Sequence, residues 1–204
     1  MKIILGYKSI KDEGLTLKTM VWPDSSMVLS RKPVFMRDDE SSHLVLGFGV
    51  RITGVGKSIR KKFARKYYSE IAPLVLIGDS SLADKIKQNI DPLACDIVSD
   101  FSIISGDSMS ADDFGGSEGM LNVSVKLSPI YPSNTFEGYS EEINIDSKNV
   151  LSEIDDAIEK GSERNTLKTG DIVGYLTSRI FPSVVDSVLR ISVNSKLLVE
   201  NKLK

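Results

Sequence analysis

The constraint that most narrows the fold of this 204-residue chain is its rhythm: short apolar, β-branched runs outnumber amphipathic ones, and the two kinds do not alternate. Runs of this type fall at 2–5, 44–52, 74–77, 96–104, 121–127, 171–177, 188–193 and 196–200, and predict strands. Helical spacing appears at 57–69, at 81–88 and over 147–161, where Val150, Leu151, Ile154, Ala157 and Ile158 share a face. Ser147 is the expected N-cap of that last helix and Gly161 its expected stop. Asn194-Ser195 predicts a tight hairpin, and Thr169-Gly170 a turn ahead of a strand. Gly47 and Gly49 mark a bulge or a close backbone approach. Strands without regular βαβ alternation predict the α+β class with a mainly β core. The acidic, glycine-rich stretch 105–119 is expected to be a long loop inside one domain spanning 1–204.

Composition excludes more than it assigns. Lys and Arg total 26 against 28 Asp and Glu, a net charge of −2, which argues against bulk nucleic-acid binding but not against a small anion. The lone Cys95 rules out a disulfide framework and a cysteine zinc site, and reads as a buried structural thiol. The lone His43 rules out multi-histidine zinc chemistry, so any Ser-His-Asp triad would have to run through it. No apolar run approaches 18 residues, and the N-terminal run ends at Gly6 without a cleavage site, so a cytoplasmic location is expected, with no membrane partner.

Several motifs fail on inspection. Gly54-Val55-Gly56-Lys57-Ser58 resembles the end of a P-loop, but Arg51 stands where the defining glycine belongs, so a turn leading into the next element is expected. Gly47-Phe48-Gly49 lacks the third glycine of a dinucleotide fingerprint, with Ile52 in its place. The basic cluster Lys57, Arg60, Lys61, Lys62, Arg65 and Lys66 reads as the wet face of a helix. Asp107, Asp112, Asp113 and Glu118 lack the alternation of a calcium loop.

Taken in order, other segments resemble the fumarylacetoacetate hydrolase family. Met1–Gly6 followed by Tyr7–Glu13 is similar to its first strand and active-site turn, and Arg31-Lys32-Pro33-Val34-Phe35 to its Lys-Pro segment. His43-Leu44-Val45 stands where the family carries Glu-x-Glu, and Asp79-Ser80-Ser81-Leu82-Ala83-Asp84 resembles its Asp-x-Thr-Ala-Arg-Asp. Ser99-Asp100-Phe101 falls at its Lys-x-Phe, and Thr166-Leu167-Lys168-Thr169-Gly170-Asp171-Ile172 is close to its Thr-Leu-x-x-Gly-Asp-Ile. The resemblance implies a mixed β-sandwich roll, usually a homodimer, in which three carboxylates hold Mg2+ or Mn2+ to hydrolyse, decarboxylate or isomerise 2-oxo acids.

The departures define two readings. Asp79 is retained, but His43 takes the first ligand position, Val45 the second, and Ser99 the place of the oxyanion lysine. The first-turn histidine is missing, with Asp12 or Glu13 near its place, and the Gly-Thr-Pro motif reads Leu176-Thr177-Ser178. If the chain is an enzyme of this kind, Asp79 and His43 hold the metal, Lys32 faces the substrate carboxylate and Glu13 acts as base. The alternative is a non-catalytic dimeric binding or scaffold protein, with Asp79 capping the helix near Ser81. In both, the expected partner is a small carboxylate or 2-oxo acid.

Overall fold

The computed structural model of the chain describes residues 1–11, 14–36, 42–78, 100–114, 119–131 and 136–204, with backbone alone at 9–11 and 14–15. The α+β, mainly β expectation holds. β1 (Lys2–Lys11) and β2 (Gly14–Pro23) form a hairpin, followed by a 3-10 turn at Asp24–Ser26 and the short β3 (Met27–Leu29). β4 (His43–Arg51) and β5 (Glu70–Gly78) flank a 3-10 stretch at Lys61–Tyr67. Then come β6 (Ile103–Ser105), β7 (Met109–Ser110), β8 (Met120–Pro129) and β9 (Tyr139–Asp146). Helix α1 (Ser147–Arg164) precedes β10 (Ile172–Pro182), β11 (Ser187–Val193) and β12 (Lys196–Leu203).

One sheet has the order β2-β1-β10-β4-β5-β6-β3, with β7 also on β5, and the other runs β12-β11-β8-β9. Among the described strand pairs, only β1–β10 and β3–β6 are parallel. The outermost strands of the larger sheet, β2 and β3, are consecutive in the chain and joined by three residues, so the sheet curls back on itself as a roll. Period-two alternation then sends side chains to two different cores. Ile3, Leu5, Tyr7, Trp22, Val45, Leu74, Leu76, Ile103, Ile172 and Leu176 fill the inside of the roll. The intervening residues, such as Ile4, Leu44, Leu46, Phe48 and Val173, face the smaller sheet and α1.

The two glycine-bearing strands, β4 and β10, pair at Gly49 and Gly174. A Cβ on Gly49 would lie 2.5 Å from Leu74 Cδ1, and one on Gly174 would lie 2.7 Å from that same atom. These β4 and β10 positions pair with each other, and Leu74 occupies the volume their missing side chains leave. Close approach was expected at Gly47 and Gly49; the bulge itself lies across from them, between Leu176 and Ile180 of β10.

Several local expectations need correction. Asp146, not Ser147, caps α1, its carboxylate accepting from the amides of Lys148 and Asn149 at 2.9 and 3.2 Å. The Ser147 hydroxyl instead donates to the Gly119 carbonyl. Gly161 does not stop the helix, which runs on to Arg164; the glycine instead makes room for Ile4, since a Cβ there would lie 3.0 Å from Ile4 Cγ2. The basic segment forms only a seven-residue 3-10 stretch, with Ser58 (φ +52°) and Ile59 tied to Ser162 before it and Tyr68 extended after it. Within it Phe63 is 44% exposed. The strand expected at 96–104 is confined, among the described residues, to Ile103–Ser105, since Phe101 turns at φ +59°. The stretch 105–119 is not wholly loop, as β7 pairs with β5. The Asn194-Ser195 hairpin forms as expected, both residues having positive φ. The helix expected at 81–88 lies outside the described residues.

Candidate functional site

His43 opens β4 and pairs with Gly78 at the end of β5 on one side and with Pro182 at the end of β10 on the other. Asp79 follows Gly78 directly, but it lies outside the described residues, as do Asp12, Glu13, Cys95, Ser99 and Glu118. Two residues along from His43, Val45 points into the roll and is 0% exposed. It sits among Leu74, Leu76, Ile103 and Leu176, and its β5 partner is Leu76. A hard dication needs oxygen donors, and a valine walled in by aliphatic side chains offers neither a ligand nor the water that would solvate a charge. Among the described residues no three His, Cys, Asp or Glu side chains group as a metal site. The described side chains therefore include no three-carboxylate centre of the kind that the resemblance implies, and Val45 offers it no ligand.

Lys32 is not brought to His43. β3 starts at Met27 beside Ile103, whose partner Leu76 lies two residues before Gly78, and it runs away from that edge to Leu29 beside Ser105 and Leu74. Lys32 follows in the exposed turn beyond, three strands from β4, where its carbonyl accepts from Asn201 Nδ2 at 2.7 Å. That turn docks on β12 through Arg31 N to Glu200 O and Val34 N to Lys202 O. Lys32 and His43 thus lie three strands apart, because the direction of β3 carries the lysine to the second sheet.

The segment most like the family, Thr166 to Ile172, works as a clamp. Asp171 is buried and accepts from Lys2 Nζ at 2.6 Å, from the Lys2 amide at 3.0 Å and from the Lys168 amide at 2.8 Å. Burial alone would raise its pKa, but the hydrogen bonds from Lys2 and Lys168 outweigh this and hold the carboxyl below its ordinary value. The group fixes the N-terminal strand against β10. In Gly54–Ser58 the amides of Gly56 and Ser58 are committed, Gly56 N donating to Leu167 O and Ser58 N to Ser162 O, and next to it Ile59 N donates to Ser162 Oγ, so these three amides are not available to a phosphate. Of the basic cluster, Lys61 pairs with Asp156 and Arg65 with Asp155, both on α1, and the others face outward. Asp107 is paired with Arg31, while Asp112 and Asp113 are exposed in a turn.

A polar group missed by the sequence reading lies where β10 bulges. Thr177 Oγ1 donates to the Leu46 carbonyl at 2.7 Å and accepts from the Arg179 amide. Beside it, a cavity of about 220 Å3 is bounded by Asn144, Asn149, Tyr175, Thr177, Ser178 and Arg179. The hydroxyl of Tyr175 is pushed up to about 12 by burial and by the charge of nearby Glu153. Glu153 is itself buried and bonded to Lys8 Nζ at 2.6 Å. Its signal was present: a glutamate inside the apolar face that carries Val150, Ile154 and Ala157 must find a partner.

No family model matches the sequence, and no curated protein does. Solved structures do match in shape. A Yersinia pestis protein assigned to the fumarylacetoacetate hydrolase family superposes with a TM-score of 0.71 at 17% identity, over 100% of this chain and 92% of that one. A 5-carboxymethyl-2-hydroxymuconate delta-isomerase of Mycobacterium smegmatis gives 0.69 at 13% identity, over 99% and 78%. A Pseudomonas aeruginosa fumarylpyruvate hydrolase, in complex with Mn2+ and pyruvate, gives 0.68 at 14% identity, over 100% and 89%. Along nearly its whole length, the chain has the fold of fumarylacetoacetate hydrolase family proteins.

Proposed function

We propose that this chain uses the fold as a metal-independent binding protein for a small carboxylate, rather than as a metal-assisted enzyme acting on 2-oxo acids. The observation that carries this is Val45, completely enclosed by aliphatic side chains at a position where the resembled family places a metal carboxylate. Arg179, exposed at the rim of the cavity beside α1, supplies the charge for the ligand, and Ser178 and Tyr175 supply hydroxyls. A homodimer, usual among the proteins it resembles, is part of the proposal.

The second reading keeps the enzyme, with His43 and Asp79 holding Mg2+ or Mn2+ and Glu13 as base. It is favoured by the pairing of His43 with Gly78, since Asp79 follows Gly78 in the sequence. Calorimetric titration with Mn2+ and, separately, with pyruvate distinguishes the two. Pyruvate binding without metal, weakened in Arg179→Gln, is expected. Micromolar Mn2+ affinity lost in Asp79→Ala would refute the binding-protein reading and restore the metal centre. Sedimentation of the same sample tests the dimer.

A further inference from the structure

A second concavity opens elsewhere in the roll, where β4 ends and β5 begins. It holds about 220 Å3, with Gly49, Ala72, Leu74 and Ile172 among the residues that line it. Alternation along β4 places Arg51 on the same face as Val45 and Gly49, and its β10 partner is Ile172 of the inner core. Val50 pairs with Ile71, so Glu70 sits across from Arg51 on that face. Opposite charges at neighbouring cross-strand positions ordinarily close on each other. Here Arg51 makes no ion pair or side-chain hydrogen bond among the described residues. Glu70 is held from outside by Ser108, whose Oγ donates to Oε2 at 2.7 Å. The neighbouring Asp107 is already matched by Arg31 at 2.6 Å.

The wall bearing Ser108 is fixed. Gly106 N donates to Pro73 O and Asp107 N to Leu198 O, and a Cβ on Gly106 would lie 2.7 Å from Pro73 and 2.8 Å from the Leu198 carbonyl. Apart from Asp107, already matched by Arg31, the opening thus presents one cation and one anion, held apart, above an apolar floor. A carboxylate alone would meet Arg51 but also the like charge of Glu70. An amine alone meets the reverse problem. A molecule carrying both charges on one carbon, with a short aliphatic tail, satisfies all three surfaces.

We infer that the Arg51–Glu70 opening of the roll binds a small aliphatic α-amino acid, its carboxylate on Arg51, its ammonium on Glu70 and its side chain over Leu74 and Ile172. The site is separate from His43, which lies eight residues away at the other end of β4, and from the Arg179 cavity.

The test uses the full chain and L-valine, titrated by calorimetry and by amide chemical shifts. Saturable binding is expected, with shifts at Gly49 and Ala72. Arg51→Gln and Glu70→Gln should each weaken it at least about tenfold, since each removes a charge-assisted hydrogen bond. Titrated on Arg179→Gln, so that the other cavity takes up no carboxylate, the analogues 3-methylbutanoate and 2-methylpropan-1-amine, each keeping one charge, should bind at least about tenfold more weakly than valine. His43→Ala and Arg179→Gln should leave valine binding unchanged. Both rim side chains are exposed, and thermal melting of the variants checks that they fold. The proposal fails if valine does not bind at roughly 10 mM, if either rim variant binds it as wild type does, or if 3-methylbutanoate binds Arg179→Gln as tightly as valine does.

Discussion

Removing the Asp171 carboxylate should uncouple the N-terminal strand from β10. Asp171→Ala deletes the acceptor for three donors: Lys2 Nζ, the Lys2 amide and the Lys168 amide. Breaking a buried ion pair by removing one partner costs about 3–5 kcal/mol. Lys2 retains a bond from Nζ to the Thr166 carbonyl and its side chain is 24% exposed, so the lower figure, about 3 kcal/mol, applies. Asp171→Asn keeps one acceptor oxygen but turns an amide NH2 toward donors, and should cost about 2 kcal/mol. Urea unfolding followed by Trp22 fluorescence measures this. Trp22 is the single tryptophan, is 1% exposed and lies across from Ile3, next to Lys2. With a denaturant slope of about 2–3 kcal/mol per molar, the midpoint of Asp171→Ala should fall by about 1–1.5 M. The pH dependence has a definite sign. Because the folded carboxyl titrates below its unfolded value, its contribution is present above about pH 4 and is lost as the pH falls through the folded value. The gap between wild type and Asp171→Asn should therefore close below about pH 4. A midpoint for Asp171→Ala within roughly 0.3 M of wild type, or a gap that does not close in acid, would refute the clamp.

Leu74→Ala should cost about 3–4 kcal/mol in the same assay, since it empties the volume over Gly49 and Gly174; a loss below about 1 kcal/mol would mean that the roll collapses onto the gap. Gly174→Ala should destabilise by about 2–3 kcal/mol, and by more than Gly49→Ala. Its Cβ meets the Phe48 carbonyl at 2.8 Å, whereas Gly49 meets only the Leu74 side chain below 3.4 Å; equal melting temperatures would contradict this. Asp155→Asn should stay within about 1 kcal/mol of wild type at pH 7. Burial raises the Asp155 pKa despite Tyr68 and Arg65, so neutralising it relieves a desolvation cost while the amide oxygen still accepts from Tyr68. A larger loss in urea melts would show that the ion pair to Arg65 dominates.

Sequence periodicity determined the class, most of the longer strands, the terminal hairpin and the buried face of α1, because each is a local pattern answering to one period. It missed β2, β3, β7 and β9. β7 has two residues and β3 three, and β9 reads Tyr-Ser-Glu-Glu-Ile-Asn-Ile-Asp with only Ile143 buried, an edge too polar to stand out. The sequence also showed that a valine stands at a ligand position, since that is a matter of residue identity. Only tertiary structure decided that Val45 is enclosed within the roll rather than at a wet rim, and that Lys32, though near His43 in the chain, lies across the sheet from it. Likewise, nothing local distinguishes the Gly-Asp-Ile segment as a catalytic motif from the same segment as a clamp. Asp171 acquires its role from Lys2, 169 residues earlier, and strand order alone brings the two together.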